Sequence, residues 1–414
     1  MRNSEPGEGH SESAPAGVKS VVNRRSLAVM LGGLSLLGRL SIDAYLPAFA
    51  DIQRDVQAST ADLQLTLTGY LLAFACMSLL HGPLSDVFGR RRVILSALLA
   101  FTLAALGCAL SPSVGWLTAF RVVQGMSAGV GTVVGRAIIR DCFDGAAAAR
   151  LLALVSMIFS LSPALAPVFG GWVVTLFTWR AIFLALFAYA VAMLALCVRR
   201  LPETLPRHGR RPFGIGILKN DYVAVFGNRR FRLVALALAL SFAGLFLYVA
   251  SVPAFLGHEL GLPPTEYAAM FVPIVAGIVL GSLAAERLAG RAASTRLILA
   301  GFSIQLVTGI VNVTFLATHG ASVPGSVLPL GFYAFGMSLA TPGLILVGLD
   351  QFPQMRGLAA SCQAFAMVLL AGLVTQLAPT FGGRARVLGL VQGVLCIAAF
   401  ASWLVTIRPY ERNG

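Results

Sequence analysis

Gly82-Pro83-Leu84-Ser85-Asp86-Val87-Phe88-Gly89-Arg90-Arg91-Arg92 lies between two apolar runs, residues 63–80 and 93–110. Each run is long enough to approach or cross a bilayer core as a helix. The two glycines and Pro83 predict a short turn beginning at Gly82, which makes the flanking helices antiparallel neighbours. Arg90, Arg91 and Arg92 fix the side of the turn, because Lys and Arg in short loops stay cytoplasmic. The stretch therefore predicts a helical membrane protein.

Composition agrees. The 414 residues are 57% apolar and 12% charged, with a mean hydropathy of +0.82, whereas soluble domains carry about 25% charged residues. The net charge of +14 and a pI near 10.3 would fit a nucleic-acid binder if the cations formed a surface. They sit instead in gaps between apolar runs, which is orientation charge, and no nucleic-acid partner is expected. The six cysteines stand singly, without a Cys-x-x-Cys pair, so neither disulfides nor a metal site is indicated. Residues 1–26 begin with a polar Ser/Glu/Gly/Pro stretch that reads as a disordered cytoplasmic tail, not a cleaved signal.

Twelve apolar runs can be marked: 27–49, 63–80, 93–110, 114–139, 151–177 and 181–198, then 233–256, 267–283, 297–317, 327–349, 358–377 and 387–407. Residues 199–232 form the only long hydrophilic gap and hold nine Lys and Arg residues with three prolines. The expected fold is all-α integral membrane, with twelve transmembrane helices in two six-helix bundles, 27–198 and 233–407. A cytoplasmic linker, 199–232, joins them, and 408–414 form a cytoplasmic C-terminus. With the N-terminus inside, 24 of the 31 Lys and Arg residues fall on the cytoplasmic side. Four lie outside (Arg54, Arg180, Arg384, Arg386) and three within runs (Arg39, Arg121, Arg136). Shifting the count by one run destroys that bias, so both termini are expected in the cytoplasm. Two such halves are the plan of a secondary transporter, with a substrate path between them. A channel or a scaffold shares the topology, so residues inside the runs must discriminate.

Asp43 is the only carboxylate well inside a run, four residues before Pro47. A carboxylate in hydrocarbon faces the bundle interior and either pairs or takes up a proton. Burial disfavours the charged form and a nearby cation favours it, so a site in which cargo shifts that balance can exchange a proton for cargo. A static role stays open: Asp43 can pair with Arg39 one turn back, or cap a break at Pro47. Arg121 is followed by Gln124, Gly125 and Gly129. Its charge is fixed, so it can hold Asp43 ionised, bind an anionic or electron-rich cargo group, or anchor a polar network with Gln124. The glycine pairs permit close helix contact.

Arg136, Arg140 and Asp141 close the fourth run on the side of Asp86 and Arg90. An ionic cluster there, around the turn of Gly82 and Gly89, can latch one arrangement of helices; plain orientation charge is the alternative. Pro163, Pro167, Gly170 and Gly171 bend the fifth run and allow tight packing, as a hinge or as a fixed kink. Tyr45, Tyr70, Phe242, Tyr248, Asn312, Tyr333 and Gln363 are candidates for a cavity wall, although ordinary packing also explains each. No Gly-Lys-Ser/Thr loop, His-Glu-x-x-His or Gly-x-Ser-x-Gly element occurs, so no enzyme and no ATP-driven pump is expected.

The pattern Gly82-x-Leu84-Ser85-Asp86-x-x-Gly89-Arg90-Arg91 resembles the signature loop between helices two and three of the major facilitator superfamily. Together with Asp43-Ala44-Tyr45-Leu46-Pro47, Gln64 to Thr68, Arg121 to Asp141, Pro163 to Gly171, Trp179 to Phe183 and Leu201 to Pro206, it resembles the Bcr/CflA drug-resistance transporters of the twelve-span drug:proton antiporter group. The likeness is dense from about residue 35 to 206 and thins in the second half. It implies export of small, mostly apolar drugs from a bacterial cytoplasm, driven by protons, through a multi-pass monomer of the inner membrane. It implies no cofactor beyond the proton gradient, and as partners only the cargo, protons and lipids. It also implies that Asp43 and Arg121 correspond to the family's first-helix acid and fourth-helix arginine, Asp86, Arg90 and Asp141 to its gating network, and Pro163 to Gly171 to its antiporter helix. Three positions depart from the family pattern: Ala166 stands where many antiporters carry Gly, Ser35 where some relatives carry a second acid, and Arg39 is an unusual cation in the first span. An uptake permease, a passive channel and a membrane-embedded enzyme are the rival readings.

Overall fold

The computed structural model describes residues 24–143, 151, 155, 162, 165–205, 214–288, 293–352 and 355–407, and every regular element among them is helical. Apolar runs of this length leave no alternative, because in hydrocarbon each backbone N–H and C=O must be satisfied within its own segment. The first half comprises α1 (Arg24–Asp43), α2 (Phe49–Asp55), α3 (Thr60–Phe88), α4 (Arg90–Ala109), α5 (Val114–Ala128), α6 (Val130–Cys142), α7 (Leu165–Leu176) and α8 (Arg180–Arg200). After α9 (Ile215–Gly227), the second half comprises α10 (Arg229–Ala250), α11 (Ala268–Leu288), α12 (Ser294–His319), α13 (Leu328–Leu349), α14 (Arg356–Leu377) and α15 (Ala385–Ile407).

Among the described residues, eleven helical segments are long and apolar enough to cross a membrane, α1 with α2 and α5 with α6 each counting as one. The expected fifth span is described as a continuous helix only in α7. Pro163, the tail before residue 24, residues 206–213 and residues 408–414 lie outside the described residues.

The turn expected to begin at Gly82 is shorter than its composition suggests. Helix α3 continues through Gly82 and Pro83 to Phe88. Pro83 removes one backbone donor, and the Ser85 hydroxyl donates to the Gly82 carbonyl at 2.8 Å. Gly89 alone makes the joint, with φ of 98°, where a side chain is strained. Arg90 then opens α4. The far end of α3 is set by Ser59, whose hydroxyl accepts from Asp62 N while Asp62 accepts from Ser59 N, a reciprocal cap.

The two halves meet along α3. At one end the Gln64 amide donates to the Ala250 carbonyl at 2.9 Å. Midway, Gly372 of α14 lies against Leu71 and Leu72. Near the other end the Tyr222 hydroxyl of α9 donates to the Leu79 carbonyl at 2.7 Å. Burial pushes the Tyr222 phenol up to about 12, so the phenol keeps its proton, and this bond, above the usual tyrosine value of about 10. Helix α9 thus occupies the stretch expected as linker and touches the first half.

Candidate functional site

The first membrane segment is broken next to its carboxylate. Helix α1 ends at Asp43, a 3-10 turn covers Leu46–Ala48, and α2 resumes at Phe49. Pro47 lacks an N–H, so the helical ladder cannot run unbroken through this point. Asp43 is fully buried and accepts from Arg39 Nε at 3.0 Å through Oδ2, while Ser162 of the fifth run donates to the same oxygen at 3.5 Å. Asp43 Oδ1 is buried without a hydrogen-bond partner among the described residues. Arg39 keeps 18% of its side chain exposed. Gly170 of α7 lies so near the Ala44 carbonyl that an added Cβ would stand 2.2 Å from it. The fifth run therefore packs backbone to backbone against the residue after Asp43. Pro167 and Gly171 are buried in the same helix.

Arg121 docks on the other face of α1. Its NH1 donates to the Ser41 carbonyl at 3.0 Å, the Ser41 hydroxyl at 2.8 Å and Gln124 Oε1 at 3.0 Å. Its guanidinium carbon lies 4.6 Å from the Tyr45 ring centre and 4.3 Å from that of Tyr70, where the negative ring faces offset a buried cation. Tyr70 donates to the Gly38 carbonyl at 2.7 Å, and the Tyr45 and Thr66 hydroxyls are 2.7 Å apart. Residues 39 and 43 share a helical face and Ser41 lies half a turn away. Arg121 is accordingly beside the Asp43 turn without pairing with Asp43: it has no carboxylate partner among the described residues. Of the roles open to it in sequence, holding Asp43 ionised by direct contact is not the one seen here, whereas the polar network with Gln124 is. Gly125 permits the arrangement, since a Cβ there would stand 2.1 Å from the Tyr70 carbonyl oxygen.

The structure does not bring the second-half candidates to this cluster. Asn312 donates to the Tyr248 hydroxyl at 3.0 Å, Tyr333 to the Ser241 carbonyl at 3.0 Å, and Gln363 weakly to the Leu344 carbonyl at 3.4 Å. Half-buried Phe242 stacks on Phe246. These contacts lie among helices of the second half itself. A groove of about 500 Å³ between α3, α4 and α5, lined by Met77, His81, Phe88, Arg92 and Met126, contains none of the candidate cavity residues.

At the arginine-loop end, Arg90 joins four elements. Its guanidinium reaches Asp86 and Ser85 on α3 and, at 3.1 Å, Asp141 on α6. Its backbone N–H donates to Glu203 at 2.9 Å, and Thr204 donates to Asp141 at 2.9 Å. Arg136 and Arg140 are exposed and enter no ion pair among the described residues. Ser85, Glu203 and Thr204 were not singled out by chemistry, although a carboxylate just after α8 falls, by topology, beside the loop arginines. A second cluster at the opposite end also escaped the sequence reading. There Asp55 accepts from Arg180 and Trp179, and Arg180 reaches the Ser111 carbonyl at 3.2 Å, tying three connections of the first half together.

The Major Facilitator Superfamily profile matches residues 31–402. The chain belongs to the major facilitator superfamily. Within it the relatives are of the Bcr/CflA drug-resistance type. The chain is 25% identical to the bicyclomycin resistance protein homolog of Haemophilus influenzae, over 93% of this chain and 97% of that one. It is 29% identical to multidrug resistance protein D of Escherichia coli, over 94% and 98%. Among solved structures, a bacterial homolog of the human lysosomal transporter Spinster superposes with a TM-score of 0.71 at 16% identity, covering 94% of this chain and 99% of that one. The fold is thus the major facilitator fold, and the superfamily's members named here are transporters, not enzymes. The protein is a multi-pass membrane protein.

Proposed function

We propose that this major facilitator protein is a proton-coupled exporter of drugs or related small molecules, working by alternating access across a bacterial inner membrane. The observation that carries the reading is Asp43, the one buried carboxylate among the described residues, set at a helix break, held by Arg39 through one oxygen and without a hydrogen bond at the other. Protonation cancels the ion pair, and deprotonation restores it, so the first span has two electrostatic states without any cofactor. Backbone contact between Ala44 and Gly170 couples that turn to α7, and Gln64 couples α3 to α10. The Arg90 cluster stabilises this arrangement at the loop end and must open in another. Both termini and the arginine loop lie in the cytoplasm in this reading, supported by the Lys and Arg bias. The partners are cargo, protons and lipids; the unit is a monomer without metal or nucleic acid.

Resistance names among the relatives support export over uptake. The test is accumulation of a panel of labelled drugs in cells expressing the protein, with and without an uncoupler. Expression is expected to lower accumulation of at least one drug at least twofold, and the uncoupler to cancel the effect. Lowered accumulation that persists in de-energised cells would point to another energy source or to passive flow.

A further inference from the structure

Four charged side chains lie in the first half's spans away from the segment ends: Arg39, Asp43, Arg121 and, toward the loop end and exposed, Arg136. The apolar runs of the second half contain no charged residue in their interiors. At the depth of the Asp43 turn the sum is therefore one net positive charge when Asp43 is ionised and two when it is protonated. The only acid is already neutralised by Arg39, at 3.0 Å on the same helical face. Among the described residues, the buried atoms left without a hydrogen bond include Asp43 Oδ1, Arg121 Nε and NH2, Gln124 Nε2 and, in the second half, the amide oxygens of Asn312 and Gln363.

We propose that Arg39 sets the cargo class, making this site select neutral molecules with hydrogen-bond donors and reject permanent organic cations. This rests on the exporter reading above. A cation leaving water for a low-dielectric interior needs an unpaired anion to replace its hydration, and here the one carboxylate is paired by Arg39 when ionised and neutral when protonated. A neutral molecule meets no such barrier, and when the helices part to admit it, its hydroxyl or amide N–H can take the one carboxylate oxygen that is buried here without a partner, Asp43 Oδ1. That contact also supplies exchange. A cargo donor and a proton compete for one carboxylate, so proton binding weakens cargo binding although the cargo carries no charge. Arg39 has a second consequence: it holds Oδ2, so only one oxygen is presented and the cargo donor approaches from one direction.

Binding of radiolabelled tetraphenylphosphonium to the purified full-length protein tests the charge filter without requiring transport. Wild type and Arg39→Lys are expected to bind it at least tenfold more weakly than Arg39→Gln, and Asp43→Asn added to Arg39→Gln is expected to abolish the gain. Binding to the wild type that matches Arg39→Gln, or that is lost in Asp43→Asn alone, overturns the proposal. So does a folded Arg39→Gln protein that gains nothing. If Arg39→Gln fails to fold, wild-type binding decides alone: Asp43-dependent capture overturns the filter, and its absence alongside competition of chloramphenicol with protons supports it. Efflux of chloramphenicol from cells is measured in parallel. No efflux with the filter intact refutes the exporter reading only, whereas efflux of both compounds at similar rates refutes the filter only.

Discussion

Arg121 is stabilised by shape as much as by charge. A planar guanidinium can lie over the Tyr45 and Tyr70 rings while one nitrogen serves Ser41 and Gln124; an ammonium on a flexible stem cannot do both. Arg121→Lys should therefore keep the charge and lose the stacking, lowering stability by on the order of 2 kcal/mol, read as a fall in the thermal midpoint in detergent. An unchanged midpoint would show that charge alone is needed. The sequence marked Arg121 and Gln124 because polar groups in an apolar run are conspicuous. It did not mark Ser41 or Thr66, since small hydroxyls in a membrane helix usually bond their own preceding carbonyls, as Thr102 and Thr375 do here. It could not choose among the partners of Arg121 either, because that choice depends on how α5 is rotated against α1.

At the scale of elements, the informative joint is Gly89. Sequence placed the break at Gly82 and Pro83, but proline is tolerated within membrane helices when neighbouring groups re-satisfy the backbone, and the single left-handed glycine does the turning. The short joint puts Asp86 and Arg90 one turn apart on successive helices, with Asp141 and Glu203 brought in from α6 and the end of α8. This cluster joins partly exposed groups, so its static contribution is small. Its effect falls on the rate of opening. Asp86→Asn is expected to leave cargo affinity in detergent within about twofold and to slow turnover several-fold, in proteoliposomes at fixed protein density. Unchanged turnover would reduce the cluster to orientation charge. The hinge question for the fifth run turns on Pro163 and its neighbours, and the described part contributes Gly170, whose close approach to Ala44 gives that run a direct contact with the Asp43 turn.

Across the whole molecule the halves are chemically unequal. The first holds the charged groups of the membrane interior, and the second holds neutral hydrogen bonds, Asn312 with Tyr248 and Ser241 with Tyr333 and Gln305. The helical membrane fold was readable because hydropathy and the Lys and Arg bias depend on the bilayer and not on tertiary detail. The inter-half seam through Gln64, Gly372 and Tyr222 was not, since each is an unremarkable residue until α3, α14 and α9 are docked. The central claim is that one proton site, Asp43, drives the exchange. Its most direct test is proton movement in proteoliposomes containing a pH dye, on addition of a drug that the cell assay identifies as cargo. Wild type should move protons opposite to the drug, and Asp43→Asn should bind the drug yet move none. Equal proton movement by Asp43→Asn would contradict the account and place the coupling group elsewhere.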